Sequence, residues 1–390
     1  MRIIVPKLRF KEFNDGWKNT KLSNFITKIT DKNKKYLIKN VISNSAQYGL
    51  IPQKEFFDKD IANDENINNY YIIEKGDFVY NPRKSIEAPY GPVNMYCYSK
   101  KGIISPLYLC FKVFNINKDF LLKYFKTACW HKYIYENGDS GARHDRVSIK
   151  DDLFFELPIF VPSMQEQEKI GKLFELLDKK IELQKQKIEA LKLYKKGLLQ
   201  KIMNDNGQKV KIKDILEEYS EKTTINNQYE SISSTKEGLF LQKEYFNRSI
   251  ASENNIGYKI LKINQVVLSP QNLWMGNINY NDKYEIGIVS PSYKIFNINN
   301  EFNKYYIFNL LKSEKALYYY TISSEQGASI VRRNLNIEAF EEITFNIPDR
   351  KTQNIIGMNI KLIDFKIKLN ENKFNYLYNY KKSLLQQMFI

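Results

Sequence analysis

The sequence predicts an α+β chain in which two homologous mixed α/β domains are separated by two long antiparallel coiled-coil helices, with pseudo-two-fold symmetry. Three observations predict this fold. Two helical segments repeat at a constant offset, both follow one heptad pattern, and the strand-rich segments before them repeat more weakly. We place the first domain at 1–162, the first helix at 163–205, the second domain at 206–349 and the second helix at 350–390.

The helical repeat runs through both segments without a gap. Pro162 aligns with Pro348, and KKGLLQ (195–200) aligns with KKSLLQ (381–386), always 186 residues later. Neither segment contains an internal proline, and the first is rich in Glu, Lys, Leu and Gln, which favour helix without help from packing. Both segments are therefore predicted to be long helices.

A heptad pattern places apolar residues along one seam of each helix. Eight of the ten seam positions are apolar in each copy, which favours a coiled coil over two unrelated amphipathic helices. The polar interruptions fall at equivalent positions, Gln184 with Asn370 and Lys195 with Lys381, where a polar seam residue can fix register and orientation. The seam positions are Ile170, Phe174, Leu177, Ile181, Gln184, Ile188, Leu191, Lys195, Leu198 and Ile202, repeated as Ile356, Ile360, Ile363, Ile367, Asn370, Phe374, Leu377, Lys381, Leu384 and Met388.

The domains repeat more weakly than the helices. GDFVYNP (76–82) corresponds to NQVVLSP (264–270), and SGARHDRVSI (140–149) corresponds to QGASIVRRNL (326–335). Strand-length apolar runs broken by Asn, Gly and Pro predict sheet-rich domains. Within the first domain, 120–135 is predicted to form one helix.

The composition indicates a polyanionic partner. Sixty Lys and Arg residues against 44 Asp and Glu residues give a net charge of +16, for which nucleic acid is the leading explanation and a lysine-decorated surface the alternative. The three cysteines, Cys97, Cys110 and Cys129, are too scattered for a disulfide framework and predict a reducing, cytoplasmic setting. No apolar run is long enough to span a membrane.

The sequence predicts no catalytic residue and no metal site. It contains neither a phosphate-binding loop, nor a dinucleotide-binding glycine motif, nor an Asn-Pro-Pro-aromatic run. Its two histidines are His131 and His144, and Cys129 with His131 lacks the second ligand pair of a zinc site. The nuclease-like run at 348–351 is interpreted as the start of the second helix, capped by Asp349.

These residues resemble the specificity subunit of type I restriction-modification enzymes. The resemblance is carried by PKLRF…GW near the N-terminus, GDFVYNP, ISPLY (104–108), SGAR (140–143) and P-x-x-x-E-Q-x-x-I from Pro162 to Ile170. The second copy departs from the last motif, with Thr352 in place of Glu166. The resemblance covers essentially the full chain.

The resemblance implies a function for each part of the chain. Each domain would be a target-recognition domain that reads one half of a split, asymmetric sequence in double-stranded DNA. The helices would set the gap and bind two modification (methyltransferase) subunits, so a turn inserted after Gln184 should lengthen the gap. Restriction (translocase and nuclease) subunits would join that core. S-adenosylmethionine, ATP and magnesium would belong to these partners, and no membrane would be involved.

Candidate DNA contacts are basic and amide side chains on loops bounded by Gly or Pro. Arginine reads guanine, asparagine and glutamine read adenine, and lysine more often holds phosphate. The candidates are Asn81, Arg83, Lys84, Arg143, His144 and Arg146 in the first domain and Gln271, Asn272, Trp274, Gln326, Arg332 and Arg333 in the second, with Tyr48, Lys54 and Lys243 as weaker choices.

Two other classes of protein remain as alternatives. A coiled-coil scaffold whose flanking domains bind protein would share the helices, but its apolar interfaces would hardly respond to salt, whereas DNA binding through several phosphates falls steeply with ionic strength. A stand-alone nuclease or methyltransferase would show activity as an isolated chain, and the missing motifs argue against it.

Overall fold

Two long helices follow the two β-rich domains along the chain. In the computed structural model, which describes residues 4–34, 37–53, 67–139, 145–202, 207–246, 254–326 and 333–390, helix α4 runs from Met164 to Ile202 and helix α10 from Arg350 to Gln387. Helix α10 begins where the sequence predicts, because Asp349 Oδ1 accepts a hydrogen bond from the backbone N–H of Thr352 at 3.1 Å. The predicted N-terminal cap is confirmed.

Packing divides the chain into two units, and the boundary between these units crosses both long helices. The first unit comprises Met1–Gln184 with Lys373–Ile390, and the second comprises Lys185–Asn372. Each unit therefore holds one β-rich domain together with part of α4 and part of α10. The predicted boundaries separate domains from helices along the sequence, whereas this division groups residues by packing. The predicted domain boundaries therefore stay a prediction.

The described residues of the first unit form two four-stranded sheets and one strand pair. One sheet has the antiparallel order β2-β9-β6-β7 and the other the order β4-β3-β8-β5, in which β3 and β8 are parallel, while β1 pairs with β10. The strands are β1 (Lys18–Lys21), β2 (Ile26–Lys28), β3 (Val41–Ser45), β4 (Gly49–Pro52), β5 (Tyr71–Ile73), β6 (Phe78–Tyr80), β7 (Val93–Met95), β8 (Gly102–Ile104), β9 (Leu109–Val113) and β10 (Pro158–Val161). The shorter helices are α1 (Lys118–Tyr124), α2 (His131–Asn137) and α3 (Asp151–Phe155).

The second unit repeats this strand order. The sheet β12-β19-β16-β17 matches β2-β9-β6-β7. A parallel bridge from Ser231 to Ile288 joins the pairs β13-β14 and β15-β18 in the order β14-β13-β18-β15, which matches β4-β3-β8-β5. The strands are β11 (Gln208–Lys211), β12 (Leu216–Tyr219), β13 (Ile232–Thr235), β14 (Gly238–Leu241), β15 (Lys259–Lys262), β16 (Gln265–Leu268), β17 (Ile278–Tyr280), β18 (Ile286–Val289), β19 (Lys294–Ile298), β20 (Ser324–Gln326), β21 (Arg333–Leu335) and β22 (Thr344–Ile347). The helices are α5 (Ile212–Ile215), α6 (Gln242–Phe246), α7 (Lys304–Leu311), α8 (Glu314–Ile322) and α9 (Ile337–Glu341).

The single helix predicted over 120–135 is wrong, because the structure has α1 and α2 with a turn between them. The Thr127 hydroxyl donates to the Tyr124 carbonyl at 2.6 Å, and the Trp130 indole N–H donates to the Phe125 carbonyl at 3.3 Å. These side chains use carbonyl groups that a continuous helix would need for its own ladder.

Aromatic residues fill the interior of each unit. In the first, Phe78, Phe111 and Trp130 are among the largest fully buried side chains, and in the second Tyr306 and Phe345 are. Much of the aromatic content therefore stabilises the two domains by burial.

Candidate nucleic-acid interface and its helical support

The same set of hydrogen bonds attaches each long helix to its own domain. Gln167 on α4 accepts from the backbone N–H of Asn117 at 2.9 Å and donates to the Pro162 carbonyl at 2.9 Å. On α10, Gln353 makes the equivalent bonds to Asn303 and Pro348, at 2.8 and 2.9 Å. Asn117 and Asn303 are the N-terminal caps of α1 and α7, so the glutamine orients the domain as well as the helix.

A glycine permits this close approach in each copy. A Cβ atom added to Gly171 would lie 3.0 Å from Oδ1 of Asn117, and one added to Gly357 would lie 2.6 Å from Oδ1 of Asn303. The capping asparagines therefore occupy the space that a larger residue would need. The two glycines are 186 residues apart, like the glutamines.

Within each unit the parts of the long helices pack antiparallel. In the first unit Phe174 of α4 contacts Phe389, just beyond α10, and Asp178 pairs with Lys381. In the second, Lys192 pairs with Glu371 and Lys195 with Asp364. In both units, higher numbers on α4 meet lower numbers on α10, which confirms the predicted orientation.

The seam predicted from the heptads is the packed face of the helices. All of its residues whose side chains the structure describes are buried or half-buried. Both lysines at the seam pair with an aspartate on the other helix, since Lys195 Nζ lies 2.6 Å from Asp364 Oδ1 and Lys381 pairs with Asp178. Gln184 and Asn370 are buried, and Asn370 donates to the Lys366 carbonyl one turn back. A register-setting role for these four residues stays a prediction.

Asp178 carries a second cation. Lys123 Nζ lies 2.5 Å from Asp178 Oδ2, in addition to the pair with Lys381. Burial by itself would raise the pKa of this carboxyl group, but the attraction and hydrogen bonds of the two lysines outweigh burial and hold the pKa below its ordinary value. Asp178 is therefore an anion that ties α4 to both α10 and the first domain.

Glu166 explains why the N-terminal PKLRF…GW motif accompanies the first helix. Its carboxylate, fully buried, accepts two hydrogen bonds of 2.7 Å from the Arg9 guanidinium and one of 3.4 Å from the Trp17 indole. In the second copy the Thr352 hydroxyl instead donates to Asp349 at 2.7 Å. The departure of the second copy from the motif therefore goes with a different local structure at the start of its helix.

The structure brings together Arg83, Lys84 and Arg146 on the first domain. The segment after β6 pairs with 145–147, because Val147 N–H donates to the Pro82 carbonyl at 2.9 Å and Lys84 N–H donates to the Asp145 carbonyl at 2.8 Å. Arg83 and Arg146 face each other across this pairing. These three basic residues thus lie on two adjoining segments, which we call the ridge, with Arg83 exposed and Lys84 and Arg146 half-buried.

Asn81 is buried and supports the backbone of this ridge. Its side chain is buried, donates to the Asn44 carbonyl at 3.0 Å and accepts from the Arg83 backbone N–H at 3.0 Å. These bonds hold the backbone from which Arg83 projects. Direct base contact by Asn81 stays untested, while its position favours a supporting role.

Sequence reasoning missed Tyr108 as a neighbour of the ridge, and from the hairpin β3-β4 it named only Tyr48, as a weaker choice. A cleft of about 250 Å³ is lined by Ser43, Ser45, Arg83, Lys84 and Tyr108, among others. Burial raises the pKa of the Tyr108 phenol, against the opposing charges of Arg146 and Arg83, so the phenol stays protonated at neutral pH. Tyr108 ends the ISPLY motif, and this position in a family motif was the available signal.

The second domain groups its candidates around a short 3₁₀ helix, Pro270–Met275. Gln271 is exposed, and Asn272 and Trp274 are half-buried. The Arg333 guanidinium lies 5.6 Å from the centre of the Trp274 ring and donates to the Thr321 carbonyl at 3.1 Å. Gln326 pairs with Arg333 in the register of β20 and β21.

Several candidates lie outside the described residues or on other surfaces. Arg143, His144, Lys54 and Arg332 lie outside the described residues, as does the SGAR motif. Tyr48 is exposed in the turn between β3 and β4, and Lys243 pairs with Glu230 at 2.9 Å. No contact in the structure tests DNA binding by any candidate.

In the described part of the chain, no group of three or more His, Cys, Asp or Glu side chains is arranged to hold a metal ion. No helix of that part is long and apolar enough to cross a membrane.

Known proteins resemble this chain in sequence and in fold. Residues 14–193 match the family described as type I restriction modification DNA specificity domain. The fold is similar to a type I restriction-modification S subunit from M. genitalium, with 14% identity, a TM-score of 0.56 and 99% of each chain covered. It is also similar to a chain from work on complex assembly and conformational transition of the type I R-M system, with 9% identity, a TM-score of 0.55 and coverage of 97% and 98%. No curated protein matches the sequence.

The duplicated domains, the packed helices and the sequence match define a class of protein, the DNA specificity subunits of type I restriction-modification systems. By that match, residues 14–193 of this chain are a type I DNA specificity domain. The predicted fold class and the prediction of a non-catalytic specificity subunit are both confirmed.

Proposed function

We propose that each domain reads one half of a split, asymmetric DNA sequence and that the paired helices set the gap between the halves. The observation that carries this proposal is the repeated attachment of domain to helix through Gln167 and Gln353, with the same partners 186 residues apart. Two domains held in the same way but with different surface side chains suit two different half-sites. Arg83 and Gln271 already show this difference.

Methylome sequencing tests this function directly. Cells that carry this chain and its modification partner should show a methylated motif with two specified halves and a fixed unspecified gap. Cells that carry only the modification partner should lack it. A continuous motif, or a palindromic one, would contradict the reading of different halves by the two domains.

Salt dependence separates this function from a scaffold that binds only proteins. Contacts to six or more phosphates lower affinity by about 10³ or more between 50 and 200 mM salt. We expect the complex to show such a decrease on its own target, as the net charge of +16 suggests. A protein interface formed by apolar residues should change little over the same range.

We also propose that methyltransferase subunits dock on the long helices. Five apolar residues of α10 that belong to the second unit are 49–66% exposed and follow heptad spacing, and we call them the outer stripe: Ile355, Met358, Leu362, Phe365 and Leu369. A stripe with this spacing suits an amphipathic helix of a partner. Exposed lysines beside it (Lys361, Lys366 and Lys368) favour a helix with acidic flanks.

Charge insertion tests this docking surface. Leu362→Glu with Phe365→Glu should reduce co-purification of the methyltransferase partner at least tenfold while the melting temperature of the chain changes little, since both side chains are exposed. Asn359→Glu, at an exposed position outside the stripe, is the matched control. Unchanged stoichiometry in the double variant would show that the partner binds elsewhere.

The remaining partners follow from the same function. We expect restriction subunits to join the complex of this chain with the methyltransferase subunits. S-adenosylmethionine, ATP and magnesium would be bound by those subunits, as the family resemblance implies.

A further inference from the structure

One position after a shared proline differs in chemistry between the two domains. Strand β6 is followed by Asn81-Pro82-Arg83, whereas strand β16 is followed by Ser269-Pro270-Gln271. β6 and β16 occupy the same place in matching sheets. Arg83 and Gln271 therefore follow matching strands at the same distance along the chain, and they carry different donors and acceptors.

The backbone at Arg83 is fixed while its side chain is available. Hydrogen bonds on both sides hold the segment, from Arg83 N–H to Asn81 at 3.0 Å and from Lys84 N–H to Asp145 at 2.8 Å. The Arg83 side chain is 68% exposed, and Asp145, its ion-pair partner, is 3.8 Å away and also exposed. Such an exposed pair contributes little and is readily exchanged for another acceptor.

In the second domain the comparable group is an amide. Gln271 is exposed on the 3₁₀ helix Pro270–Met275, which Gly276 ends with a φ of +87°. The nearest arginine candidate, Arg333, is half-buried and bonded to the Thr321 carbonyl while it lies against Trp274. The second domain therefore presents an amide where the first presents a guanidinium.

These two groups select different bases. A guanidinium forms two hydrogen bonds with O6 and N7 of guanine, whereas a glutamine amide bonds to N6 and N7 of adenine in the major groove. We propose that the residue after the shared proline is a specificity-determining position in each domain, with Arg83 reading a guanine in one half-site and Gln271 reading an adenine in the other. This inference rests on the proposed function.

Reciprocal substitutions test the inference. In methylome sequencing, Arg83→Gln should relax or change one guanine position in one half of the motif and leave the other half intact. Gln271→Arg should do the same to one adenine position in the other half. In a binding assay with the assembled complex, Arg83→Gln should lower the preference for guanine over adenine at that position by about tenfold or more.

Lys84→Gln is the control, since loss of a phosphate contact should weaken binding to all sequences alike without changing the motif. A wild-type motif without two halves would contradict the proposed function itself. A split wild-type motif that stays unchanged in Arg83→Gln, or that changes in both halves, would overturn only this inference. If a variant modifies too little DNA for sequencing, the binding assay with guanine and adenine sites decides.

Discussion

Glu166 is the residue on which the N-terminal segment depends. Its buried carboxylate binds Arg9, which is itself only 13% exposed. Glu166→Gln should lower the free energy of unfolding by on the order of 3 kcal/mol, because it leaves the arginine charge largely buried without its anion. Urea unfolding at pH 7 measures the change.

The second copy offers the matched control for that substitution. Thr352 occupies the equivalent position, and its hydroxyl bonds to the exposed Asp349. Thr352→Val should therefore cost less than about 1 kcal/mol. Equal losses in the two variants would show that the buried pair with Arg9 contributes little beyond an ordinary hydrogen bond.

Replacing a glycine of the long helices with alanine should destabilise the chain at one position and stabilise it at another. Gly357→Ala should destabilise by about 1–2 kcal/mol, because the new Cβ would lie 2.6 Å from the capping side chain of Asn303. Gly197→Ala should stabilise by about 0.5–1 kcal/mol, because nothing lies within 4 Å of its new Cβ and alanine favours helix. Thermal unfolding compares the two variants, and stabilisation by both would contradict the close approach at Asn303.

Residue types could be predicted from the sequence more reliably than residue roles. Gln167 and Gln353 align in the repeat, but their bonds to Asn117 and Asn303 join segments 50 residues apart, which no local pattern shows. Asn81 was predicted to face DNA from its type and its loop, whereas its burial depends on its neighbour Asn44 in another strand. Burial of a polar side chain is decided by tertiary packing, so it could not be predicted.

At the scale of elements, the ion pairs made by the seam lysines predict that the folded chain becomes less stable in acid. The pKa of Asp178 is lowered in the folded chain, so its stabilising effect is complete above its unfolded pKa near 4 and is lost as the pH falls through the lower folded value. Asp178→Asn should lower the free energy of unfolding by roughly 1 kcal/mol at pH 7. The difference from wild type should shrink at pH 3.

Urea unfolding of both chains at pH 7 and pH 3 measures this dependence. Asp364→Asn tests whether the other aspartate that pairs with a seam lysine contributes similarly, since Asp364 bonds to Lys195 and accepts from the Tyr305 hydroxyl. A difference between wild type and Asp178→Asn that stays constant from pH 7 to pH 3 would assign the effect to packing and not to charge.

The long helices were predictable as elements because their signal is repeated every seven residues and twice along the chain. Short elements lacked that redundancy. The run 120–135 has helical composition throughout, yet the Thr127 and Trp130 side chains compete for its carbonyl groups. Strand order was also beyond the sequence, since the parallel pairing of β3 with β8 joins segments that many residues separate.

At the scale of the whole molecule, the chain passes between its two units twice, both times within a helix. Helix α4 leaves the first unit after Gln184, and α10 leaves the second after Asn372. No loop of the described chain marks either crossing. This continuity is the physical basis for the proposal that the helices set the gap between the two half-sites.

Insertion at these two crossings tests that expectation. Seven residues added after Gln184 and seven after Asn372 keep the heptad phase of both helices and lengthen each by about 10.5 Å at a rise of ~1.5 Å per residue. At ~3.4 Å per base pair, the gap in the methylated motif should grow by about three base pairs, with both half-sites unchanged. The single turn after Gln184 that is expected from the sequence to lengthen the gap would, at four residues, also shift the seam phase and disturb the pairing, so it serves as the comparison. If the seven-residue variant methylates a motif with the original gap, the helices do not set the spacing.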